Sequence, residues 1–154
     1  MLPSGDSSME IKFKRAYEIP GTYCETLKVV NGKGDFDYDF VRVRVHDPAD
    51  PQKPPPRLHL ACYPTTGIHP GTEITFKGRA FDVTGGKETW DFGDGSPLVT
   101  TVSDGSVNQL AKDGYVIVKH RYEQPGDYLV HVRREDNEGH VAEDRLHIRV
   151  SRQP

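Results

Sequence analysis

The chain has 154 residues, a formal net charge of −3 and a pI near 6.1, with 15 glycines and 12 prolines among 34% hydrophobic residues. That length admits one domain with an appendage or two small ones, and sparse, alternating apolar residues punctuated by turn formers predict an all-β chain. The acidic balance argues against nucleic acid as main partner, and no apolar run is long enough for membrane insertion.

In chain order, residues 1–9 have neither the basic start nor the apolar core of an export signal and read as a disordered tail. Residues 10–47 carry three candidate strands, near Ile11 to Phe13, Cys24 to Val30 and Tyr38 to Val45. Alone they cannot bury an apolar face, and Tyr23, Leu27, Val41, Val43 and Val45 would meet water. The segment is therefore expected to pack on the rest of the chain, to exchange with a second copy in self-association, or to be poorly ordered. Residues 48–56 form a Pro-rich linker, read as a stiff spacer that holds units apart.

From residue 57 to 152 the pattern is that of one complete unit. Leu58 to Cys62 and Glu73 to Phe76 read as its first strands. Trp90 and Phe92 stand at strand spacing before a turn built by Asp91, Gly93, Asp94 and Gly95. The stretch from Ser96 to Gly114 reads as a long connector. Past Tyr122, Pro125 and Gly126 supply a turn, and Tyr128 stands two residues before Val130, the spacing of a tyrosine corner at the start of an inward-facing strand.

The strings WDFGDGSP and HRYEQPGDY with the closing RLHIRV resemble the PKD (polycystic kidney disease) domain, and the resemblance covers about Pro55 to Arg152. It implies an immunoglobulin-like antiparallel β-sandwich with Trp90 in its core. It also implies a non-catalytic module of a larger extracellular or cell-surface protein, such as a polysaccharide- or protein-degrading enzyme or an adhesin. Its partners would be the neighbouring domains of that protein.

The chain also resembles itself. Shifted by 105 positions, the separation of Tyr17 and Tyr122, Lys14 to Tyr23 aligns without a gap with Lys119 to Tyr128, and the register continues to Arg44-Val45 against Arg149-Val150. Residues 10–47 thus read as a three-strand, C-terminal half of a preceding module whose first half is missing, in a chain expected to begin inside a domain.

Among chemistry-bearing candidates, Asp91 and Asp94 lie in one turn with no cleft, so turn stabilisation outweighs acid–base catalysis. Asp35, Asp37 and Asp39 alternate with Phe36, Tyr38 and Phe40, which places carboxylates on one strand face and aromatics on the other. Calcium is the cofactor those carboxylates could hold; otherwise none is expected. A bulge near Asp39 would turn Val41, Val43 and Val45 inward. Without one, Phe36, Tyr38 and Phe40 continue the face of Arg42 and Arg44 as an exposed aromatic strip suited to sugar rings.

On the complete unit, His131, Arg133, Arg145, His147 and Arg149 alternate with inward Val130, Val132, Leu146, Ile148 and Val150 and form a basic face. That face or the aromatic strip would serve the alternative function, a carbohydrate-binding module that delivers an attached enzyme to polysaccharide. Solvated strand faces are the plainer reading of both. By strand parity Cys62 reads as a buried free thiol and Cys24 as an exposed one.

Overall fold

The computed structural model describes residues 10–104 and 114–152; the expected tail, residues 1–9, lies outside them. Among the described residues nine strands follow one another: β1 (Gly21–Val30), β2 (Phe36–Val45), β3 (Arg57–Tyr63), β4 (Ile74–Phe81), β5 (Lys87–Asp91), β6 (Val99–Thr101), β7 (Val116–His120), β8 (Gly126–Glu135) and β9 (Val141–Val150). They form a six-stranded sheet in the order β2-β1-β9-β8-β5-β6 and a three-stranded sheet in the order β3-β4-β7. The molecule is an all-β, immunoglobulin-like sandwich, with every ladder antiparallel except that between β1 and β9.

The alternation of apolar residues explains the two layers. Leu58 and Leu60 of β3, Ile74 and Phe76 of β4 and Val118 of β7 face Trp90 of β5, Val130 and Val132 of β8, and Ile148 and Val150 of β9. The indole of Trp90 is fully buried. Gly78 on β4 makes room for it, since a Cβ there would stand 2.8 Å from the indole Cζ2. The long connector after Ser96 is not structureless: Val99–Thr101 pairs with β5 and closes one edge of the sheet.

The hairpin of β1 and β2 repeats that of β8 and β9. Strand limits are shifted by the same 105 positions, and all ten cross-strand pairs keep the same register, from Gly21 opposite Val45 and Gly126 opposite Val150 onwards. In the first turn the Asn31 Oδ1 accepts the amides of Lys33 and Asp35, both at 2.9 Å. In the second, the Asp136 Oδ1 accepts those of Glu138 and His140, both at 2.9 Å. Gly34 and Gly139 hold left-handed φ values of 87° and 82°. Tyr23 donates its hydroxyl to the carbonyl of Ile19 at 2.7 Å, as Tyr128 does to Gln124 at 2.9 Å. The ring pairs Tyr17–Tyr23 and Tyr122–Tyr128 complete the correspondence, with centroids 4.5 and 4.1 Å apart.

This hairpin does not stand apart. Gly21 and Thr22 pair in parallel with Val141 and Ala142, so β1 extends the sheet beyond β9. Gly21 is required there, because a Cβ would lie 2.1 Å from the carbonyl oxygen of Val141. Arg42 reaches across to Asp144 at 2.8 Å, and Lys53 bonds Glu138 at 2.9 Å. Residues 48–56 are accordingly no extended spacer: they turn at Asp47–Asp50 and Asp50–Lys53, and Pro55 and Pro56 are buried.

Two other expectations are corrected. The N-terminal segment has two strands, not three, and Ile11 and Phe13 are left exposed. Residues 11–13 correspond to the start of β7, which holds its place by pairing with β4, and the described chain offers 11–13 no such neighbour. Cys24 is buried and Cys62 half-buried, the reverse of the expected pair, and both thiols are free. Because Thr22 lies beside Ala142, the Thr22–Cys24 side of the hairpin continues the inner side of the sandwich, whereas the corresponding side of the β8–β9 twin faces out.

Candidate interaction faces

The WDFGDGSP turn is held by its own carboxylates. Asp91 Oδ1 accepts the Gly93 amide at 2.9 Å, and Asp94 Oδ1 accepts that of Ser96 at 3.0 Å. The other oxygen of Asp94 meets His120 Nε2 at 2.7 Å, and the His120 ring stacks on Phe92 with centroids 4.1 Å apart. Tyr122 donates to the carbonyl of Phe92 at 3.0 Å, and burial pushes its phenol pKa up. Gly126 opens β8 directly after Pro125. These groups bond one another rather than line a cleft, which makes the motif a clasp between the sheets.

Beneath it runs a buried polar chain. The Trp90 indole donates to Thr101 at 2.8 Å, Thr101 to Glu88 at 2.9 Å, and Arg134 to Glu88 at 2.7 Å and to the Gly85 carbonyl at 2.6 Å. Ser103 donates its amide and hydroxyl to Glu88. Every donor of this set points at an acceptor, as burial of charge demands. The signal was present in the sequence: Glu88 shares the parity of Trp90, and Arg134 that of Val130 and Val132.

On the outer side of β8 and β9 the basic candidates are spent on near neighbours. His131 bonds Glu143 at 2.8 Å, Arg133 bonds Glu135 at 2.9 Å, and Asp127 accepts both His147 at 2.7 Å and Arg149 at 2.9 Å. Burial raises the carboxyl pKa values of Asp127 and Glu143, but bonds from His147 with Arg149, and from His131, outweigh it and leave both below the ordinary range. Arg145 occupies the same outer side, opposite His131. Next to this face a shallow depression of about 550 Å³ is lined by Lys87, Thr89, Asp91, Leu98, His131 and Arg133, among others.

The β1–β2 register runs without a bulge, so Phe36, Tyr38 and Phe40 share a face with Arg42 and Arg44. They are half-buried, not a fully exposed strip. Lys28 Nζ lies 4.3 Å from the Phe36 centroid and 5.6 Å from that of Tyr38, and the other flank of Tyr38 meets His147 at 4.9 Å. On the opposite face Asp37 and Asp39 accept the amides of Tyr38 and Phe40, both at 2.9 Å, while Asp35 bonds Asn31. The three carboxylates do not converge as calcium ligands would. Among the described residues the group of three with metal-ligating atoms close together is Asp136, Glu138 and His140, and there Asp136 is engaged by the amides of its own turn.

No helix of the described residues is long and apolar enough to cross a membrane. A sequence profile of the PKD domain matches residues 58–150, more than half of the chain. Among solved structures the chain is similar to the PKD domain of an M14-like peptidase from a Thermoplasmatales archaeon. Their identity is 18%, the match covers 61% of this chain and 92% of that one, and the TM-score is 0.45.

Proposed function

Because the chain belongs to the PKD domain family, we propose that it is a non-catalytic spacer and interaction module of a larger extracellular or cell-surface protein, fixing the distance and orientation of the domains beside it. The supporting observation is the docking of the β1–β2 hairpin. Strand β1 joins the sheet of the module, the Arg42–Asp144 and Lys53–Glu138 pairs tie the hairpin and the returning linker down, and Gly21 permits the close approach. A unit joined to its neighbour through a shared sheet transmits orientation, which a flexible tether cannot do.

Energy transfer between fluorescent proteins fused at the two ends tests this reading. A spacer gives one narrow distance distribution that broadens on Gly21→Val; a broad distribution in the unaltered chain would overturn it. Polysaccharide targeting has less support, since Lys28 caps Phe36 and Tyr38 and four of the five basic candidates, all but Arg145, are paired with carboxylates.

A further inference from the structure

The repeated hairpin identifies a surface by what covers its twin. On β8 and β9 the inner face is formed by Tyr128, Val130, Val132, Leu146 and Ile148 and lies under the β3-β4-β7 sheet. The positions 105 residues earlier are Tyr23, Glu25, Leu27, Val41 and Val43, on the side of the hairpin turned away from the sandwich. Leu27 is 50% exposed, Val29 57% and Val41 59%, and Phe13, ahead of the hairpin in the chain, is 81% exposed. An apolar sheet face of this kind, preceded in the chain by a segment that corresponds to a strand and has no strand partner among the described residues, is a half-built core.

The polar residues on that face narrow the choice of cover. Val29 stands where Arg134 stands in the twin, so a front half (the counterparts of β3 to β6) with a carboxylate in the place of Glu88 on β5 would bury that charge unpaired beside β1. Glu25 stands where Val130 is fully buried, but it brings its own partners, Arg15 at 2.7 Å and Tyr17 at 2.9 Å. The hairpin therefore does not suit the front half of its own chain, which carries Glu88, and this disfavours exchange with a second copy.

We propose that the Leu27–Val29–Val41 face is a docking site for the front half of another module of this type, one with an uncharged residue at the position of Glu88. That half would pair its β4 counterpart with residues 11–13 and close over Leu27 and Val41. The inference rests on the internal duplication and not on the spacer reading.

The test joins a second copy of residues 57–114 directly to Glu10, the junction that the 105-residue offset dictates, with Glu88→Leu in the added copy. The unaltered chain provides the one-tryptophan baseline. The added indole is expected to emit in the blue-shifted, quencher-protected range of the buried Trp90, and amides at 11–13 and 27–29 gain protection from hydrogen exchange. Retaining Glu88 in the added copy, or introducing Leu27→Asp, is expected to expose the added indole and remove that protection. A solvent-exposed added indole with unprotected 11–13 amides, or burial indifferent to Leu27→Asp, overturns the proposal. A stable dimer of the unaltered chain that Leu27→Asp dissociates also overturns it, since the face would then belong to a second copy.

Discussion

Arg134 and Glu88 form an ion pair at 2.7 Å with side chains only 3% and 0% exposed, at the centre of the buried polar chain that runs under Trp90. Its geometry explains its survival: the guanidinium also bonds the Gly85 carbonyl, and the carboxylate also accepts Thr101 and Ser103. Removing one partner of such a pair leaves the other buried without compensation. Arg134→Met is expected to cost about 3–5 kcal/mol in urea unfolding, and the double variant Glu88→Leu, Arg134→Leu less than that. A double variant no better than the single one would show that the pair is not acting as a unit.

Gly21→Val would push a side chain into the carbonyl of Val141 and lift β1 from β9. The complete module has its own core and is expected to keep its unfolding transition. Cys24, now buried beside Asp144 with its thiol pKa raised by that burial, would become reactive to thiol reagents at neutral pH. Unchanged labelling of Cys24 would argue that the hairpin holds by other contacts.

Gly78→Ala places a methyl group against the Trp90 ring and below 3.2 Å from Leu60 Cδ2, which stands 3.1 Å from the Cβ position. Overpacking of this order is expected to cost about 1–3 kcal/mol with a red shift in indole emission. The measurement is an equilibrium denaturation followed by fluorescence.

Acid should weaken the fold through Asp94, Asp127 and Glu143. In each, burial raises the pKa, but hydrogen bonds and opposite charges prevail and leave it below the ordinary value. A folded-state pKa below the unfolded one gives stability that is present above the unfolded carboxylate range, about 4, and is lost as pH falls through the folded values. Thermal midpoints are expected to hold near neutrality and to drop below about pH 4. Asp127→Asn should flatten part of that decline.

Much of the complete unit was legible because strand parity is local. Trp90, Val130, Val132 and Ile148 could be placed inward from alternation alone, and the turn at Asp91 to Ser96 announced itself by composition. The strands expected near Cys24 to Val30 and Tyr38 to Val45 are present, each starting two or three residues earlier, at Gly21 and Phe36. What alternation cannot give is which side of a hairpin meets its neighbour. Cys24 was misplaced for that reason: its twin position, Leu129, faces outward, whereas the parallel pairing of Thr22 with Ala142 turns Cys24 toward the interior. Ile11 to Phe13 carry a strand's apolar spacing, yet a strand exists only through its partner. Of the two arrangements that alternation leaves open for Phe36, Tyr38 and Phe40, the ladder takes the one without a bulge, and Lys28 and His147, which cover that face, come from other strands.

Strand β2 is the outer rim of the larger sheet, and along it Asp37 and Asp39 already occupy the amides of Tyr38 and Phe40. A stray chain seeking to zip onto that rim finds two donors taken and two negative charges in its path. These carboxylates thus act as a guard against fibrous growth, and their replacement by alanine would be felt first as loss of solubility rather than of fold.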